Sequence, residues 1–139
     1  MNDDARLVII VDPALTLGVI ANTCALLAVS LGQQVSEHIG PDLPDASGEL
    51  HAGLFDRAIT VLAAAAAELP GLRRRAKQTG LLTVDFTTLP QRARTYDEYA
   101  SALSAASPEA LDYLGLALYG PGKAVRRVTG SLPLLKGVV

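Results

Sequence analysis

Apolar and polar positions fall into blocks along the chain, and the blocks carry two different periods. Residues 6–11, RLVIIV, form a continuous aliphatic run stopped by Asp12 and Pro13, the pattern of a central strand buried on both faces. After it, Leu17, Ile20, Ala21, Cys24, Leu27, Ala28 and Leu31 recur at spacings of three and four. That places them on one face of a helix, with Thr16 in position to cap it. Leu26 and Val29 make the opposite face apolar too, so the helix is expected to be covered on two sides, by the sheet and by another element or a second subunit.

Residues 40–48, GPDLPDASG, are dense in proline, glycine and aspartate and are expected to form a loop. A second strand is expected over 58–62, with a switch from strand to helix inside the alanine run 63–67. In the following helix Pro70 suits the first turn, Arg73, Arg74, Arg75 and Lys77 fall toward the carboxyl end, and Gly80 stops it. Residues 81–86, LLTVDF, make a third strand. Thr95 with Glu98 three residues on is a capping-box signature for a helix to about Ala106, and Ser107-Pro108-Glu109 suggests a further helical turn. Residues 111–119 supply a fourth strand, Gly120-Pro121-Gly122 breaks it, and residues 123–128 form a short helix ended by Gly130. SLPLL follows as an edge segment, since Pro133 has no place in a central strand.

This alternation specifies one α/β domain over residues 1–139: a four-stranded mixed sheet flanked by helices in two or three layers. The 139 residues, 50% hydrophobic, suit one sizeable core. A formal charge of -2 excludes a generally basic, nucleic-acid-coating protein while leaving room for a local anion site, so nucleic acid is unsupported as a partner. Cys24 is the only cysteine, which rules out an internal disulfide or a cysteine-rich zinc site and suits a cytoplasmic setting. No metal or cofactor is expected. The opening residues lack the basic start and apolar core of a secretory signal, and no run reaches the roughly 20 apolar residues of a membrane span.

Candidate chemistry is sparse. LYGPGKAVRRVTG fails as a P-loop, because Ala117 stands at the first glycine position and Ala124 at the hydroxyl position. A strand, a glycine turn, a helix start and Lys123 could still hold an anion, or the two glycines could merely permit a tight turn. His38 and His51 flank the 40–48 segment without an evident partner and are expected as exposed loop histidines. Asp12 and Asp85 lie near the ends of expected strands, where open α/β sheets place functional groups; the same positions suit strand-ending or capping residues. Asn22 and Thr23 interrupt the first helix and would face a pocket or bond a backbone carbonyl. The arginine runs read as solvated helix faces, and the four tyrosines are too scattered to form a stacking row.

Two segments carry a family resemblance: RLVIIVDPALTLGVIANTCALLAVSLG near the start and LGLALYGPGKAVRRVTGSLPLL near the end. In that order they resemble the signatures of type II peptidyl-tRNA hydrolases, which have a strand, a glycine-led alanine-rich helix, and a late strand followed by G-P-G and V-T-G. The whole chain, including VDFTTLPQRARTYDEY, is more similar still to a bacterial family of unknown function assigned to the same fold. The resemblance implies that fold, and it sets Thr129 at a functional position beside the backbone glycines Gly18, Gly120 and Gly122. The hydrolase's lysine, glutamine and histidine correspond to Val19, Thr23 and Leu26, and its acidic stretch is replaced by KAVRR. Loss of that lysine and that acid would remove charge stabilisation and general-base help. The expectation is therefore a ligand-binding or regulatory domain on a hydrolase-like scaffold, with a diverged peptidyl-tRNA or other ester or amide hydrolase as the alternative. Its site would lie between the start of the first helix and the G-P-G turn and include Gly18, Asn22, Thr23, Gly120, Gly122, Lys123 and Thr129. A small anionic ligand and a homodimer through the first helix are the expected partners.

Overall fold

A computed structural model describes residues 4–136. Strand β1 (Ala5–Val11) is buried everywhere except Arg6 and lies inside the sheet, as its unbroken aliphatic run requires. It pairs in parallel with β4 (Ile59–Ala63) and antiparallel with β6 (Tyr113–Pro121), and β6 pairs antiparallel with β5 (Leu82–Thr87). The result is a four-stranded mixed sheet in the order β4-β1-β6-β5.

The pleat of β1 divides the core in two. Leu7, Ile9 and Val11 face helix α1 (Leu17–Gly32), packing with Leu27, Leu31, Val35, Ala117 and Phe86. Val8 and Ile10 face the other way, onto α2 (Leu69–Gln78) and α5 (Gly122–Thr129), where Leu69, Leu72, Ala76, Val125 and Val128 join Leu116 and Leu118. Each fully buried aliphatic side chain contributes about 1.5–3 kcal/mol. Helices cover both faces, so of the two layerings open to the sequence the chain adopts the three-layer one.

Elsewhere the turn chemistry sets the boundaries. The alanine run switches from strand to a 3-10 turn at Ala66–Glu68, which leads into α2; Pro70 sits in the first turn of α2, and Gly80 follows its end with φ 82°. Helix α3 (Thr88–Arg92) was not expected. Its start is hidden against the strand end, where the Thr87 hydroxyl accepts from the Leu89 N–H at 3.3 Å and Pro90 fits the first turn. Helix α4 (Tyr96–Ser104) carries the expected cap. Glu98 N donates to Thr95 Oγ1 at 3.1 Å, while the Glu98 carboxylate reaches one residue further back to Arg94 N at 2.7 Å.

Four expectations need correcting. The 40–48 loop is part of a small ribbon, β2 (Leu43–Pro44) against β3 (Leu50–His51), whose tight turn uses the very Asp and Gly residues that read as loop. Gly120 and Pro121 do not break β6 but end it in register, Pro121 opposite Ala5; Gly120 leaves room for Leu81, which an added Cβ would meet at 2.5 Å. Thr16 sits at the α1 N-cap position but makes no side-chain cap bond. The buried stripe of α1 is Thr23, Leu27 and Leu31, with Leu17 and Ala21 outside it. The closing segment runs along the outer edge of β4, with Pro133 O accepting from Ala63 N and Leu135 N donating to Val61 O, both at 2.9 Å.

Candidate functional site

The residues expected to form one site are spread over both ends and both faces of the sheet. Ala5 pairs with Pro121 and Val11 with Gly115, so the G-P-G turn adjoins the opening of β1, while α1 begins beyond its close. Six strand steps separate those ends, roughly 20 Å. Thr23 confirms the geometry by packing at the far end, its Cγ2 2.9 Å from where a Gly115 Cβ would stand. Moreover, α1 and α5 lie on opposite faces.

Individually, most of these residues are occupied. Gly122 N donates to Asp4 O at 2.8 Å, and an Asp4 carboxylate oxygen lies 2.9 Å from the place of a Gly122 Cβ, so the chain's own carboxylate stands at the start of α5. Lys123 is exposed, and the buried Thr129 hydroxyl donates to Val125 O at 2.9 Å within its own helix. Asn22 is exposed, Gly18 has open space around it, and Thr23 Oγ1 is buried without a hydrogen-bond partner. Asp12 accepts from Ala14 N at 2.9 Å and shapes the bend after β1.

Asp85 has a different setting. Its carboxylate binds Arg73 Nε of α2 at 2.7 Å, and both side chains are partly exposed. Strand β5 is an outer strand, and its consecutive residues Val84, Asp85 and Phe86 line a cleft of about 560 Å³. Three successive strand residues can line one cavity only where the strand edge faces it. Leu26 and Ser30 of α1 form one wall; Pro90, Ala93, Arg94, Tyr96 and Tyr99 form the other. The two tyrosine rings meet edge to face with centroids 5.5 Å apart, and burial pushes the Tyr99 hydroxyl pKa up, keeping it a donor.

The polar groups of this cleft are unequally committed. Ser30 donates to Leu26 O, Thr95 caps α4, and Asp85 is held by Arg73. The Arg94 guanidinium has no carboxylate partner among the described residues. An apolar, aromatic-walled cavity with one uncommitted cation fits a small molecule with a flat apolar body and an acidic group.

His38 is the largest departure from expectation. It is 4% exposed, not a solvent-facing loop residue. Its Nε2 lies 2.8 Å from the Tyr119 hydroxyl, its Nδ1 3.4 Å from Asp56 Oδ1, and its ring meets Phe55 edge to face. Burial first, then the nearby Glu37 charge, pushes the Tyr119 pKa up. The partners come from two other parts of the chain, residues 55–56 and Tyr119, so no local spacing signals the cluster. His51 is exposed and pairs with Asp45.

Residues 5–136 match the family of proteins of unknown function designated DUF2000. The chain belongs to that family. Among solved structures it is similar to a protein of unknown function, Atu0240, from Agrobacterium tumefaciens str. C58. The two share 22% identity over 94% of this chain and 97% of that one, with a TM-score of 0.86. That likeness carries the fold of a DUF2000 domain and no activity. No curated protein matches the chain. Among the described residues, no helix is long and apolar enough to cross a membrane, and no group of three or more His, Cys, Asp or Glu could hold a metal ion.

Proposed function

We propose that this DUF2000 protein is a ligand-binding domain whose site is the cleft between α1, the free edge of β5 and α4. The observation that carries this reading is the aromatic-walled cavity of about 560 Å³ on the outer strand, a volume ordinary for small-molecule sites. Tyr96, Tyr99 and Phe86 supply flat apolar contact, the strand edge supplies directional backbone groups, and Arg94 supplies the cation for an acidic substituent. The ligand class is a small aromatic carboxylate. Backbone-amide NMR with benzoate and naphthoate probes tests it: shifts should centre on Val84, Phe86, Tyr96 and Tyr99. Arg94→Ala should weaken the acids at least tenfold and leave their neutral amides almost unaffected. Shifts elsewhere, or an equal loss for acid and amide, would overturn the placement.

A second reading, a diverged ester or amide hydrolase, draws on His38 between Asp56 and Tyr119, a carboxylate, imidazole and hydroxyl in sequence. It predicts release of tRNA from a model peptidyl-tRNA that His38→Ala abolishes; no turnover above a protein-free control would remove it. Self-association through α1 goes with either reading, because its Leu17 and Val29 remain 82% and 78% exposed. Sedimentation showing a monomer at every concentration would reject it.

A further inference from the structure

A second cleft, of about 430 Å³, lies on the opposite face of the sheet from α1. Its walls are Pro70, Arg73, Arg74, Lys77 and Gln78 of α2, with Pro108 and Tyr113 across from them. Among the described residues, every charged side chain lining it is a cation. Arg73 is half-satisfied by Asp85, whereas Arg74 and Lys77 have no carboxylate partner among the described residues. The helix dipole accounts for the basic residues of the last turn, Arg75 and Lys77, but not for Arg73 and Arg74 in the middle of α2. Arg74 and Lys77 are three apart, so they stand side by side on the helix, where like charges repel. The remaining polar groups include the Gln78 amide and the Tyr113 hydroxyl, which burial keeps protonated and donating.

We propose that this cleft binds a small phosphorylated molecule, its dianionic phosphate gripped by Arg74 and Lys77 with the free side of Arg73. A guanidinium presents paired N–H groups to two phosphate oxygens, and a neighbouring ammonium adds a point charge. A monocarboxylate would neutralise only one of the two adjacent unpaired cations, whereas a phosphate dianion matches both. Pro70 and Pro108 give the rest of such a ligand flat apolar walls. Extended nucleic acid is disfavoured because the cations lining this cleft all lie on the single helix α2 of a chain of net charge -2.

The experiment is an amide-NMR titration of the full chain with inorganic phosphate and inorganic pyrophosphate at constant ionic strength. Saturable shifts should be confined to α2 and Tyr113, with pyrophosphate the tighter. Arg74→Gln with Lys77→Gln should lower that affinity at least tenfold, with the thermal midpoint unchanged or raised because a repulsion is removed. Arg94→Ala should leave it untouched, which separates this cleft from the one beside β5. Non-saturating shifts, shifts scattered over all basic residues, or an unchanged affinity in the double variant would overturn the proposal. So would a single-stranded oligonucleotide that binds more tightly than pyrophosphate.

Discussion

Gly115 sets the distance between α1 and the sheet. A Cβ there would stand 2.9 Å from the Ile10 carbonyl oxygen and 2.9 Å from Thr23 Cγ2, and neither the backbone oxygen nor a β-branched side chain in a helix can swing aside. Gly115→Ala should therefore cost about 1–3 kcal/mol, read as a lower urea midpoint. Gly18 is the contrast: it lies inside α1 with nothing within 4 Å of an added Cβ, so Gly18→Ala should be neutral or stabilise by up to about 1 kcal/mol. A destabilised Gly18→Ala beside an unaffected Gly115→Ala would refute this account. In the sequence both are glycines among apolar residues. The resemblance picked out Gly18, and only the packing reveals Gly115.

At the scale of elements, the β2–β3 ribbon depends on one aspartate. Asp45 Oδ1 accepts from Ser47 N at 2.8 Å, Ser47 Oγ at 2.6 Å and Glu49 N at 3.2 Å, while Oδ2 meets His51 Nε2 at 2.8 Å. The Ser47 hydroxyl and then His51 hold the carboxyl down at about 2, below its ordinary 3.8. A depressed pKa means that the ionised form is favoured by the folded turn. Its contribution is present above the ordinary pKa and is lost as the pH falls through about 2. A carboxyl titration by NMR should find Asp45 at about 2 in the intact chain, and Asp45→Asn should broaden the amides of residues 43–51. A titration near 3.8 would show that the turn does not hold the carboxylate. The four sheet strands were legible because each is an apolar run between turn residues, and α4 because Thr95 and Glu98 announce it. The ribbon and α3 were not, since two-residue strands and a five-residue helix are too short to show a period.

Across the whole molecule, the order β4-β1-β6-β5 explains both what the sequence disclosed and what it withheld. Composition and alternation specify a mixed sheet between helices, but not that β6 inserts beside β1 and carries the G-P-G turn to the end opposite the start of α1. Asp85 was legible as a polar residue on a strand; its Arg73 partner and the cleft beside it depend on β5 being the outer strand. The same order leaves β4 as the other outer strand, and the closing segment guards it. Leu134 bridges to Leu62, two backbone hydrogen bonds flank that bridge, Leu135 packs on the α1-side core and Leu132 on the α2-side core. Pro133 can occupy this place because an edge segment needs no N–H on its outer side. A chain ending at Gly130 should therefore lose about 2–4 kcal/mol from two half-buried leucines and two hydrogen bonds. It should also bare the edge of β4 and aggregate in proportion to concentration. Urea unfolding and light scattering check the two consequences separately, and an unchanged midpoint would mean that the closing segment lies outside the cooperative unit.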